Sequence, residues 1–169
     1  AGKTGNGDWA DMLAEMDVNV GQVLDAVDRL GIRDNTIVIF ASDNGPEFVR
    51  PYDGWAGPWR GQYFTAWEGG IRVPFMIRWP GHVPAGRVSD QIVHCVDLFP
   101  TIASMVGASV PNDRPIDGVD QSNFFAGKTE ASGREGILVW CADRLQAVKW
   151  RHYKVHFYQQ ETMVSPPVK

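Results

Sequence analysis

The sequence has few cysteines, no long apolar run and no excess of positive charge. Its 169 residues include two cysteines, which excludes a disulfide-dense scaffold and a zinc site built from four cysteines. No apolar run reaches the roughly 18 residues that a membrane-spanning helix needs. The formal net charge is −4, whereas nucleic-acid binding calls for basic residues clustered on one face. We therefore expect no membrane span and no nucleic-acid partner.

Glycine, proline and tryptophan are abundant. The chain has 18 glycines, 11 prolines and 7 tryptophans, and 44% of its residues are hydrophobic. This composition allows a globular core and predicts many tight loops that carry aromatic groups. The chain begins Ala1-Gly2-Lys3 without Met and ends in Pro166-Pro167-Val168-Lys169 without a closing element. We expect a piece of a longer protein.

Residues 8–30 have the pattern of a helix. Asp8 is placed to cap its N-terminus, and Gly31 stands where a C-terminal cap belongs. Apolar residues recur every three or four positions and fall on one helical face. They are Met12, Met16, Val20, Val23, Val27 and Leu30. We predict that this stripe packs into a core, with a solvated acidic face opposite.

A continuous run of β-branched and aromatic residues, TIVIFA at 36–41, follows the helix. A run without polar alternation is typical of a strand buried on both faces, as in a parallel sheet covered by helices. Helix, tight turn and buried strand form the αβ half of a βαβ unit. This pattern predicts an α/β fold.

Asp43 and Asn44 stand directly after that strand. Ligands of open α/β sheets bind at the carboxyl ends of strands, and hard cations take carboxylate and amide oxygens. Gly45 would allow a sharp turn beside a bound group. The alternative is a plain turn, since Asn-Gly is a common hairpin signal, although Pro46 removes a donor from any returning strand. A metal site and a turn both remain open on these residues.

Residues 45–66 predict a long loop, rich in glycine, proline and aromatic residues, and such loops are often functional. Arg60 in this loop is suited to forked recognition of a tetrahedral oxyanion such as sulfate or phosphate. It could equally stack on a neighbouring tryptophan as a surface residue. Glu68 and Arg72 flank Gly69-Gly70 and predict a structural ion pair.

The remaining chain predicts a strand at 75–79, a helix at 98–106 and several strands near its end. Asp97 is a plausible N-cap of that helix, and Gly107 closes it. A composition shift near residue 126 precedes a strand at 137–140. Two antiparallel strands joined by a short turn follow within 146–158. Cys95 and Cys141 could pair or remain free thiols.

Three strings resemble the sulfatase family of the alkaline-phosphatase superfamily. They are DMLAEMDVNVGQVLDAVDRLGIRDNTIVIFASDNGPE at 11–47, WEGGIRVPFMIRWPG at 67–81 and VDLFPTIASMVGASVP at 96–111. The resemblance implies the C-terminal part of an α/β/α sandwich at 1–125. Residues 126–169 would then begin a small antiparallel-sheet subdomain that the chain does not complete.

The resemblance also implies a site. In sulfatases, the pair that matches Asp43 and Asn44 binds Ca²⁺ or Mg²⁺. The nucleophile is a formylglycine made from a Cys/Ser-x-Pro/Ala-x-Arg signature, which this chain lacks and which we expect upstream. We therefore expect no catalytic residue in this chain and an inactive fragment. Tyr63 stands where many sulfatases have a sulfate-binding lysine, so Arg60 is the candidate substrate-binding residue.

The implied function is hydrolysis of sulfate esters, with a small sulfate ester or a sulfated glycan as partner. Family resemblance places the enzyme in a periplasmic, extracellular or lysosomal compartment. The alternatives are a phosphodiesterase or phosphonate hydrolase of the same superfamily, and a non-catalytic binder of sulfated glycans. The alcohol part of the substrate and the oligomeric state stay open.

Overall fold

The computed structural model describes residues 2–48 and 54–159, in which two compact units divide at Gly81 and His82. The first unit contains α1 (Asp8–Arg29), β1 (Val38–Ala41), α2 (Glu68–Ile71) and β2 (Phe75–Arg78). The second unit contains α3 (Leu98–Met105), α4 (Ser122–Phe125), β3 (Gly136–Cys141), β4 (Arg144–Trp150) and β5 (Tyr153–His156). The predicted boundary near residue 126 stays a prediction.

The two ends of α1 are formed differently. Gly31 has a φ of 68°, its N–H donates to the Asp28 carbonyl, and the Ile32 N–H donates to that of Val27. This is the Schellman arrangement, so the predicted C-terminal cap is confirmed. The prediction for Asp8 is wrong, because Gly7 occupies the N-cap and makes no side-chain cap bond.

Asp11, one turn further along α1, holds the residues that precede the helix. Its carboxylate accepts hydrogen bonds from the Thr4 N–H at 2.8 Å and from the Thr4 hydroxyl at 2.7 Å. The backbone and side-chain hydrogen bonds of Thr4 lower the pKa of Asp11 to about 2, with smaller contributions from the N–H groups of Gly2 and Lys3. The Asp11 carboxylate therefore fixes the residues before α1 to its first turn and does not cap the helix.

The apolar stripe of α1 is exposed, contrary to the prediction that it packs into a core. No residue of α1 is buried, and Met12 and Val23 keep 59% and 60% of their surface. Periodicity determines which residues share a face, whereas burial requires a second surface to cover that face. None of the helices among residues 2–48 and 54–159 is long and apolar enough to cross a membrane.

β1 and β2 form an antiparallel pair, with Val38 opposite Arg78 and Ala41 opposite Phe75. The expectation of a strand buried on both faces in a parallel sheet is wrong here, since β1 is only partly buried. The chain leaves β1 and returns to the same end, where the Ser42 N–H donates to the Pro74 carbonyl at 3.2 Å. Because β2 begins at the end of the pair where β1 stops, β2 must run antiparallel to β1.

The second unit confirms the predicted antiparallel strands. Its three-stranded sheet has the order β3-β4-β5, with Leu138 opposite Val148 and Val148 opposite Val155. The register shifts between Val139 and Trp140, which marks a bulge in the first hairpin. Both cysteines of the chain are free, so the open choice between pairing and free thiols is resolved.

Asp97 occupies the predicted N-cap position of α3, but its buried side chain does not bond to that helix. It is 0% exposed and makes no side-chain cap bond to that helix. Its carboxylate accepts hydrogen bonds from Arg134 Nη2 at 2.5 Å, the Val119 N–H at 2.8 Å and the His94 N–H at 2.9 Å. The predicted N-cap position is confirmed, but a long-range arginine and two loop N–H groups occupy the carboxylate in place of a cap bond.

These contacts govern two ionisation states. Burial on its own would raise the pKa of Asp97, but the hydrogen bonds from Arg134, Val119 and His94 outweigh it and hold that pKa below 3.8. Burial lowers the pKa of His94, and the positive charge of Arg134 lowers it further. We conclude that Asp97 and Arg134 form a buried ion pair, and that the neighbouring His94 favours its neutral form.

Candidate active site

Asp43 and Asn44 lie in the turn directly after β1. The Asp43 side chain is exposed, and Asn44 is half-buried. The Asn44 amide nitrogen donates to the Gly45 carbonyl at 2.9 Å, and the Ser42 hydroxyl donates to the Asn44 carbonyl at 3.0 Å. The amide nitrogen of Asn44 is a donor and is already bonded to the Gly45 carbonyl. The amide oxygen is therefore the atom of this side chain that can coordinate a cation.

This donor chemistry fits a hard cation but does not complete its ligand shell. Ca²⁺ takes about 6–8 oxygen ligands, and Asp43 and Asn44 supply one carboxylate and one amide oxygen. Within the described parts of the chain, no group of three or more His, Cys, Asp or Glu residues could hold a metal. The turn can therefore serve as one part of a metal site whose other ligands come from elsewhere.

Buried glycines bring the Asp43 turn against α2. The Gly45 N–H donates to the Gly70 carbonyl at 3.0 Å, and a Cβ on Gly45 would lie within 3.0 Å of the Gly69 carbonyl oxygen. The Gly69 N–H donates in turn to the Arg60 carbonyl at 2.8 Å. Real Cβ atoms essentially never come this close, so only glycine permits the contact. Three segments distant in sequence are joined here by backbone alone.

Gly45→Ala should therefore destabilise the first unit by about 1–3 kcal/mol, since the added methyl has no space. Gly21→Ala is the matched control, because a Cβ there meets nothing within 4 Å. In the interior of a helix this change should stabilise by about 0.5–1 kcal/mol. Urea unfolding measures the free energy of unfolding of both variants. Equal changes in the two would contradict the close approach at Gly45.

Arg60 is exposed and lies over the ring of Trp67, with Cζ 4.0 Å from the ring centroid. Arg72 lies over Trp59 in the same way at 4.1 Å. The two stacks cross between the loop and α2 and hold them together. Stacking uses the face of a guanidinium, and its N–H donors stay in the plane. The tryptophan stack is therefore compatible with forked binding of an oxyanion by Arg60.

The predicted ion pair between Glu68 and Arg72 is present, with Nη1 and Oε2 3.9 Å apart. The segment that carries it, expected as a turn, is the single helical turn α2. A four-residue spacing brings both side chains to one helical face, which accounts for the pair.

Tyr63 and Phe64 form the tip of a turn that the sequence reasoning did not single out. The Thr65 N–H donates to the Gln62 carbonyl at 3.0 Å, and the two rings lie 3.9 Å apart at 34°. Phe64 has a φ of 60°. The usual signal for such a turn, a glycine at its third position, is missing from QYFT. Part of the predicted loop, residues 49–53, lies outside the described residues.

Comparison with known proteins identifies the family of this chain. Residues 7–108 match the family model described as Sulfatase, which covers more than half of the chain. Residues 61–165 match a second model, described as N-sulphoglucosamine sulphohydrolase, C-terminal. Both matches include the segment of α2, and the Sulfatase match also includes Arg60.

Individual relatives are similar over most of the chain. Steryl-sulfatase of Rattus norvegicus is 40% identical over 157 residues, which are 89% of this chain and 27% of that protein. A crystal structure of a sulfatase from Pseudoalteromonas sp. is 33% identical, with a TM-score of 0.80 over 87% of this chain and 30% of its own.

A crystal structure of the protein Ps i-CgsB in complex with k-i-k-neocarrahexaose is 30% identical. Its TM-score is 0.71 over 82% of this chain and 31% of its own. The chain thus spans between a quarter and a third of the length of these relatives. These structural neighbours confirm the predicted α/β fold class.

Proposed function

Because this chain belongs to the sulfatase family, we propose that the protein that contains it hydrolyses sulfate esters. The observation that carries the proposal is the docking of the Asp43 turn onto α2 through Gly45. It supports a single anion-binding region built from the end of β1 and the loop of Arg60. We assign the chain to the C-terminal part of that protein, with residues 1–125 in the catalytic domain and 126–169 in a subdomain.

In this proposal the chain supplies binding groups rather than the attacking group. Asp43 and Asn44 hold a divalent cation, Ca²⁺ or Mg²⁺, which neutralises charge on the sulfate oxygens when bound. Arg60 donates N–H groups to a sulfate oxygen. Neither Cys95 nor Cys141 lies in a Cys-x-Pro/Ala-x-Arg sequence. The nucleophile, a formylglycine, therefore belongs to residues outside this chain, and the isolated chain is inactive.

The organic part of the substrate is the least constrained part of the proposal. One similar protein is named for a steryl group and another was solved with an oligosaccharide. We place the substrate of this protein among sulfate esters of ring-bearing alcohols, either small molecules or glycans. For the same reason we propose an exported or lysosomal compartment for the protein.

The direct test is hydrolysis of 4-nitrophenyl sulfate by the full-length protein, with 4-nitrophenyl phosphate as comparison. We expect turnover of the sulfate in excess of the phosphate. Preference for the phosphate would favour a phosphodiesterase-like relative. Binding of a sulfated glycan without hydrolysis of either ester would instead indicate a non-catalytic binder.

Arg60→Ala should lower kcat/KM for the aryl sulfate by about tenfold, the effect of losing one charge-assisted hydrogen bond. The control is Arg72→Ala, which removes the equivalent stack on Trp59 together with the ion pair to Glu68. It should therefore lose at least as much stability in thermal unfolding as Arg60→Ala, whereas only Arg60→Ala should lose this much activity. Equal losses of activity would show that Arg60 acts through the loop structure alone.

A further inference from the structure

Phe64 adopts a backbone conformation that a bulky residue rarely adopts. Among the described residues, Phe64, Ala142 and Arg151 are the non-glycine residues with positive φ. Ala142 and Arg151 stand in the two-residue turns that join β3 to β4 and β4 to β5, where positive φ is usual. Phe64 has a φ of 60° and lies in the long connection between β1 and β2 rather than in a two-residue hairpin turn. Its conformation therefore requires another explanation.

The surroundings of Phe64 impose this conformation. The Thr65 N–H and hydroxyl both donate to the Gln62 carbonyl, at 3.0 and 2.6 Å, and the Thr65 hydroxyl accepts from the Gln62 N–H at 3.1 Å. Thr65 is buried. Positive φ at the third position of such a turn normally selects glycine. A turn fixed in this way keeps a strained residue in place, and strain of this kind concentrates at functional sites.

The turn lies against the candidate metal site. The Tyr63 N–H donates to the Pro46 carbonyl at 2.9 Å, three residues after Asp43. A Cβ on Gly70 would lie within 3.0 Å of the carbonyl oxygens of Gln62 and Thr65, and the Gly70 carbonyl accepts from Gly45. The backbone of residues 62–65 is therefore fixed to the segment that carries Asp43.

The side chain that this backbone projects is aromatic and accessible. Phe64 is 41% exposed, and its ring lies 3.9 Å from the ring of Tyr63. The two rings lie over one another, tilted by 34°, and the exposed surface of the Phe64 ring is apolar, which suits the face of another ring. Glycine would relieve the backbone, so the presence of phenylalanine here points to a use for its ring.

We propose that Tyr63 and Phe64 form a wall that contacts the ring of the alcohol portion of the substrate and so determines specificity. This inference rests on the proposed sulfatase function and extends it to the organic half of the ester. The wall binds either an aryl ring or the C–H face of a pyranose. In this role Phe64 contributes to substrate affinity and leaves the bond-breaking step to the anion site.

The test uses the full-length protein with Phe64→Gly and Phe64→Tyr. Glycine accepts the positive φ, so Phe64→Gly should unfold at the same or a higher temperature. If the wall binds an aryl ring, the KM of Phe64→Gly for 4-nitrophenyl sulfate should rise about three- to tenfold. If the wall binds a pyranose, the KM for galactose 6-sulfate should rise by about the same factor. The inhibition constant of inorganic sulfate, which has no ring, should stay unchanged. Phe64→Tyr keeps a ring and should retain the wild-type KM.

The outcomes separate this inference from the function on which it rests. An active wild type with equal KM values in Phe64→Gly would overturn the wall and leave the hydrolase. Parallel changes in KM and in the sulfate inhibition constant would also overturn it, since the effect would then lie in the anion site. If the wild type shows no hydrolysis, saturation-transfer NMR with 4-nitrophenyl sulfate tests whether it still binds the ester. A wild type that binds through Phe64 but hydrolyses nothing would support the wall and overturn the hydrolase.

Discussion

Asp43→Ala in the full-length protein is expected to lower kcat/KM for an aryl sulfate by about a thousandfold, since a metal ion supplies several kcal/mol of charge stabilisation. The carboxylate is the one formal charge that the Asp43-Asn44 pair offers to a cation. Its side chain is exposed, so removing it should leave the free energy of unfolding nearly unchanged. The expected pattern is loss of turnover in a protein of normal stability.

Calcium titration by calorimetry distinguishes loss of the ligand from other causes. Asp43→Ala should weaken the binding of Ca²⁺, whereas the control Asp17→Ala should bind it normally. Asp17 is an exposed carboxylate in the middle of α1 and is not part of the turn that follows β1. Normal calcium affinity together with normal turnover in Asp43→Ala would refute the metal assignment of this residue.

Arg134→Met is expected to destabilise the protein by about 3–5 kcal/mol, the usual effect of removing one partner of a buried ion pair. The variant leaves the Asp97 carboxylate, which is 0% exposed, without its cationic partner. The control is Arg114→Met. Arg114 pairs with Asp113 at 2.7 Å, but both side chains are largely exposed, and loss of this pair should change stability by less than about 1 kcal/mol.

The pH dependence follows from the direction of the Asp97 pKa. That pKa is below 3.8 in the folded protein, so the ion pair contributes its full stability above the unfolded pKa and loses it as pH falls through the folded value. In Arg134→Met the pKa of Asp97 rises, since burial remains and the cation is gone. The stability difference between wild type and Arg134→Met should therefore shrink from pH 7 to pH 3. Urea midpoints across this range measure it, and a constant difference would contradict the ion pair.

Features that depend on neighbouring residues were predictable from the sequence. Gly31 ends α1 in the expected conformation, because a left-handed residue after a helix is a local requirement. The last two strands were found from alternation and a change of phase near Arg151. The family was identified from strings whose residues are contiguous, and the comparisons confirm it.

Features that depend on distant partners were not predictable. The sequence around Asp97 suggested a helix cap, and it contains no sign of the true partner of the carboxylate, because Arg134 is 37 residues away. The antiparallel pairing of β1 with β2 depends on a loop that returns to the end of β1, which no local pattern in 36–41 specifies. The wall at Phe64 was missed for another reason, since QYFT lacks the glycine that usually marks such a turn. Its turn is imposed by Gln62, Thr65 and Gly70 rather than by a turn sequence.

By itself, the sequence determined the family, the position of Asp43 after a strand and most element boundaries, because these depend on contacts within a few residues. The tertiary structure decided which of the segments that carry candidate residues contact one another. It joined the Asp43 turn to the loop of Arg60 through Gly45, Gly69 and Gly70, whose missing side chains let backbones touch. It also left the stripe of α1 exposed, since burial of a face depends on what lies opposite.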